Sequence, residues 1–103
     1  MKGENRMNNY GMKEKMIMRL VKDFNEYSEL VALNYAQMKE GNCDEGTLQW
    51  NRGNLSRIED YLKQLVESTE GVNLNWECKE HTFGFDDWER QLEYRTAYIS
   101  WGR

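Results

Sequence analysis

The sequence predicts an α+β fold: an antiparallel helical hairpin of two long helices followed by a small C-terminal antiparallel β-ribbon, with an all-α chain as the alternative. Three observations predict it. The hydrophobic period changes from 3.6 to 2 near Gly71, seven of the thirteen aromatic residues fall in the last 32 positions, and proline is absent. With 103 residues there is material for one hydrophobic core, so residues 1–103 are read as a single domain.

Residues 1–10 hold Gly3, Asn5, Asn8 and Asn9 without periodicity and are expected to fray. Over residues 12–40 the apolar positions Ile17, Val21, Phe24, Val31, Tyr35 and Met38 recur at helical spacing, widened by Leu20, Tyr27 and Leu30. They predict a helix roughly 40 Å long, which needs a partner along its length. Gly41 and Asn42 supply its stop signal, and Asp44 is the N-cap of a second helix over 44–68. The seam of that helix runs Leu48, Asn51, Leu55, Ile58, Leu62 and Leu65. Gly53, followed by the capping-box pattern Ser56-Arg57-Ile58-Glu59, predicts a break or kink near residues 51–54. Met16, Met18, Leu33 and Trp50 lie off the seams and are expected to meet the C-terminal segment or another chain.

The aromatic ribbon spans residues 72–101. Val72, Leu74, Trp76 and Cys78 alternate with polar residues, as one strand of a half-buried pair does. Leu92, Tyr94, Thr96, Tyr98 and Ser100 alternate with Glu93, Arg95, Ala97, Ile99 and Trp101, which predicts the partner strand. Between them, Phe83-Gly84-Phe85 reads as a short strand or bend, and residues 86–91 as a turn or one helical turn capped by Asp86. The alternative is a helix from Asp87 to Tyr98, with Trp88, Leu92, Arg95 and Ile99 on one face.

Charge narrows the function classes. Residues 1–23 hold six basic and three acidic groups, residues 24–71 four and nine, and residues 72–103 four and six, for a net charge of -4. An acidic surface repels phosphate backbones and attracts a basic protein groove. Direct nucleic-acid binding is therefore not expected, although Lys13, Lys15, Arg19 and Lys22 form a basic patch and the ribbon aromatics are of the kind that stack bases. No apolar run approaches the roughly 20 residues of a membrane span, and no signal-peptide core follows the basic residues 1–6. A cytoplasmic protein with Cys43 and Cys78 as free thiols is expected.

No motif points to catalysis. Cys78 and His81 have a ligand-like gap, but the second close pair of a zinc module is missing, and a strand sets the two on opposite faces, away from any thiol–imidazole contact. The carboxylates of residues 86–89 share one exposed turn, without the separation and burial that divide acid from base. Glycine-rich phosphate loops, Ser–His–Asp sets and paired-histidine helices do not occur. The expectation is a non-enzyme with no cofactor and no metal.

What remains is a small acidic protein that binds a larger partner protein. The expected contact residues are Glu45, Asp60, Asp86, Asp87, Trp88 and Glu89, an aromatic anchor ringed by charge. In size, charge and Asn/Lys/Glu-rich composition, though in no motif, the chain resembles the compact proteins of phages and mobile elements, anti-CRISPR proteins among them. That resemblance implies an inhibitor whose acidic surface occupies the nucleic-acid channel of a host nucleic-acid-processing enzyme, and it carries over no residue. The alternative is a self-assembling helical protein, a homodimer through the Met-rich residues 12–18. A small DNA-associated regulator is the third reading.

Overall fold

Four elements follow one another: α1 (Met12–Lys39), α2 (Glu45–Glu67), β1 (Val72–Phe85) and β2 (Trp88–Trp101). This is the α+β architecture that the change of period predicts. The computed structural model describes residues 11–41, 43–85 and 88–102, so the expected fraying of residues 1–10 and the role of Asn42 lie outside the described residues.

The turns form as their residues dictate. Gly41, at a φ of 78°, donates its N–H to the Met38 carbonyl and ends α1. Asp44 accepts the Thr47 main-chain N–H at 2.7 Å and caps α2. Hydrogen bonds from the Thr47 backbone and side chain hold its carboxyl below the usual aspartate value. At the other end of the hairpin Lys13 Nζ donates to the Ser68 carbonyl at 3.2 Å, so the helices run antiparallel along their whole length.

Two expectations about the helices are corrected. Residues 51–54 hold no break, for α2 continues as one helix through Gly53. Packing against α1 on both sides of that glycine, through Leu48 and Asn51 before it and Leu55, Ile58 and Leu62 after it, outweighs its poor propensity. In α1 the buried stripe holds Ile17, Phe24 and Val31, but it continues through Ser28, Ala32, Asn34 and Ala36, while Leu30, Tyr35 and Met38 are exposed. Small residues let the neighbouring elements approach closely there, and the larger apolar groups project past them.

The ribbon spans residues 72–101 as expected, but its two strands are longer than their alternation suggested. β1 and β2 pair in one unbroken antiparallel register from Val72↔Trp101 to Phe85↔Trp88. Residues 88–91 are therefore strand, not a turn or helical turn, and the helix over 87–98, with it the all-α alternative, is overturned. Pairing with β1 satisfies every second main-chain group of β2, and the supposed helical face divides between the two faces of the ribbon.

A change of face organises the fold. At the open end of the ribbon Val72, Leu74, Trp76, Ala97 and Ile99 pack on the core of Ile17, Phe24 and Leu62. Toward the tip the other parity meets α1: His81 Nδ1 lies 2.9 Å from Glu29, and Leu92 lines a cleft with Tyr35 and Ala36. Two-stranded ribbons twist strongly, and α1 crosses from one face to the other over the edge of β2. At the crossing Asn25 takes the place of a neighbouring strand. Its Oδ1 accepts the Ala97 N–H at 2.7 Å and its Nδ2 donates to the Ala97 carbonyl at 3.0 Å, while Ser28 Oγ donates to the Arg95 carbonyl. Thr96 and Ala97, adjacent residues of opposite parity, are accordingly both buried.

Candidate partner-binding surfaces

Among the described residues, three of the exposed surfaces bear on partner binding. The first lies at the end of the molecule where α1 stops and the ribbon turns. Tyr35, Ala36 and Lys39 of α1 and Glu89, Gln91 and Leu92 of β2 line a shallow cleft of about 410 Å³. α2 begins at the same end of the hairpin with Glu45, which is exposed. Glu45 and Glu89 make no ion pair among the described residues.

Of the six residues expected at an interface, Glu45 and Glu89 thus fall at this end. Asp60 is exposed on α2, fifteen residues from Glu45 and so roughly 22 Å along the helix. It does not join them. Trp88 is the first residue of β2, and Asp86 and Asp87 lie outside the described residues.

The second surface is a groove of about 500 Å³ between the helices, lined by Met16, Leu20, Tyr61, Gln64, Leu65 and Ser68. No ribbon residue lines it. Met12 is 74% exposed, Tyr61 59% and Trp50 67%, and the off-seam residue Met16 lies in this groove between the helices. The third surface is the outer edge of β1, where the six consecutive residues from Glu77 to Thr82 are all exposed.

Between these surfaces, on the ribbon face toward α2, sits a charged cluster that sequence reasoning missed. Arg95 stacks on the Trp76 ring at 4.3 Å, lies 5.5 Å from Phe24 and donates to Glu59 Oε1 at 2.7 Å, and Lys63 holds the other Glu59 oxygen at 2.8 Å. Phe24 and Trp76 meet edge to face at 5.2 Å. Burial pushes the Glu59 carboxyl up, but the hydrogen bonds from Lys63 and Arg95 and their charges outweigh it, so the group titrates below the usual glutamate value. The cluster clamps α2 to the ribbon. Both cations are engaged on one carboxylate and on aromatic faces, which makes the cluster a structural contact between the two elements.

Elsewhere, burial and the Glu29 charge raise the Tyr94 hydroxyl above its ordinary value. Cys78 and His81 stand three residues apart on one strand and hence on opposite faces; His81 stacks on Phe83 with ring centroids 4.5 Å apart, and Cys78 is exposed. Among the described residues no three His, Cys, Asp or Glu side chains gather where they could hold a metal ion. No helix of the described residues is long and apolar enough to cross a membrane.

Comparison with protein-family models, curated proteins and solved structures gave no match. Any functional reading therefore stands on the geometry of the chain itself.

Proposed function

We propose that this chain is a small non-enzymatic protein of the cytoplasm that docks on a larger protein, a nucleic-acid-processing enzyme, and inhibits it. The contact is made by Glu45 and Glu89 at one end of the molecule, by Asp86, Asp87 and Trp88 of the sequence before Glu89, and by Asp60 as a separate contact farther along α2. The observation that supports this reading is the pairing of exposed carboxylates that make no ion pair among the described residues, Glu45 and Glu89, with a shallow cleft that offers Tyr35 and Leu92 beside Lys39. Acidic groups beside apolar surface suit a basic groove built for phosphates, since the charges steer encounter and the apolar contacts hold it.

Competition tests it. The tagged protein, used as bait in a nuclease-treated bacterial lysate, should retain one nucleic-acid-processing enzyme, and added duplex or single-stranded nucleic acid should displace that enzyme. Retention unaffected by nucleic acid would separate binding from the enzyme's channel and remove the inhibitor reading. The self-assembly alternative draws on a different observation, the exposed Met12, Met16, Trp50 and Tyr61 on the helical face away from the ribbon. It is checked by whether Tyr61→Arg changes the molecular mass in solution.

A further inference from the structure

The two edges of the ribbon are treated unequally. The outer edge of β2 is met at its middle by α1, whose Asn25 and Ser28 bond the outward N–H and C=O of Ala97 and the C=O of Arg95. Ala97 directs its N–H and C=O away from β1, so Trp76↔Ala97 is a non-hydrogen-bonded pair. By the alternation of an antiparallel ladder, Leu74, Trp76, Cys78, Glu80 and Thr82 direct their own N–H and C=O groups outward from β1. α2 reaches β1 near its start, where Lys63 lies 6.0 Å from the Trp76 ring, and the stretch from Glu77 to Thr82 is exposed throughout. A long edge without a bulge or proline is a template for another strand.

The charges along that edge select the strand. We infer that a second copy of this chain pairs with it, β1 against β1 in antiparallel register, with Cys78 on the two-fold axis. In that register Glu77 faces Lys79 of the other copy, twice by symmetry, and Asn75 faces His81. The outward residues form the hydrogen-bonded pairs Cys78 with Cys78, Trp76 with Glu80 and Leu74 with Thr82, giving about ten main-chain hydrogen bonds. Centring the pair on Glu77, Lys79 or Glu80 instead sets that residue's charge against its own copy, which is unfavourable across a ladder. The product is a closed dimer with a four-stranded sheet whose outer strands each meet an α1 helix at Arg95 and Ala97. A ribbon that is marginal with two strands gains the width of a stable sheet. The pairing leaves the acidic ends free, one on each side of the axis, and does not depend on the partner proposed for them.

Sedimentation equilibrium over a dilution series, in the presence of reductant, tests the inference. The wild type should approach twice the chain mass of 12.4 kDa. Lys79→Glu and Glu77→Lys should each weaken the dimer about tenfold, because each sets two like-charged pairs across the axis. The double exchange should restore it. Within one chain Glu77 faces Thr96 and Lys79 faces Tyr94, so the exchange disturbs no ion pair among the described residues, and an unchanged circular dichroism spectrum checks this. A wild type that stays monomeric at every concentration, a dimer indifferent to both single substitutions, or one that responds to Tyr61→Arg on the helical groove and not to Lys79→Glu would overturn the proposal.

Discussion

Asn51 donates to Asn34 at 2.7 Å within the hairpin seam, and both side chains are buried. Replacing Asn51 by Leu strands the Asn34 carbonyl away from water, which costs about 1–3 kcal/mol. Replacing both by Leu should cost less than either single change, because no polar group is then left without a partner. Denaturant titrations of the four proteins in this cycle measure it; strictly additive losses would mean that the contact contributes nothing. The pair also fixes which turn of α1 faces which turn of α2, since any slip of the hairpin separates two buried amides. A second expectation at this scale concerns Glu59. Its carboxyl titrates below the usual value in the folded chain, so the stability it contributes is present at neutral pH and is lost as the pH falls through its depressed folded value. Glu59→Gln should therefore lower stability at pH 7 and flatten its acid dependence, read from thermal unfolding at several pH values. Of these residues, Asn51 was visible in the sequence as a member of the seam. Asn34 was not, because the stripe was drawn from large apolar residues alone.

Among the elements, the contact between α1 and β2 has the largest consequence. Asn25 makes two main-chain hydrogen bonds to Ala97 from a half-buried position, the geometry of a neighbouring strand offered by one side chain. Asn25→Ala should destabilise the domain by about 1–3 kcal/mol. It should also speed hydrogen exchange of the Ala97 amide selectively, while amides of β2 bonded to β1 keep their protection; equal exchange rates in both proteins would show that α1 does not serve as a strand here. Phe24→Ala should cost more, about 3–5 kcal/mol, since it empties the fully buried centre where α1, Trp76 and Arg95 meet. The order of the elements was legible from the change of period at Gly71, and the caps Gly41 and Asp44 from their chemistry. The full length of the ribbon's two strands was not, because a strand that changes its buried face at Thr96 and Ala97 shows no single alternation. A signal for the crossing did exist: Asn25, Ser28, Ala32 and Ala36 recur at spacings of three and four, a stripe of small and polar residues at helical period.

On the scale of the whole molecule, the antiparallel run of α1 beside both α2 and β2 gives a body of 52 × 24 × 21 Å, with the turn of the hairpin and the tip of the ribbon at one end. That elongation brings the start of α2 with Glu45 and the start of β2 with Glu89, which are distant in sequence, to the same end of the molecule. The sequence marked Glu45 and Glu89 as contact residues from charge alone. Their shared end and the cleft beside them follow from topology, as does the separation of Asp60, which no composition or period encodes. The proposed function predicts that the binding free energy resides there and not on the helical groove of Met16 and Tyr61. The most direct measurement is a quantitative comparison of the proteins retained from nuclease-treated native lysate by the wild type, by the Glu45→Lys/Glu89→Lys variant and by Tyr61→Arg. One nucleic-acid-processing enzyme retained by the wild type and by Tyr61→Arg, and lost on the charge reversal, is the predicted result. Equal retention on the charge-reversed protein, or no such enzyme on any of the three, would contradict it.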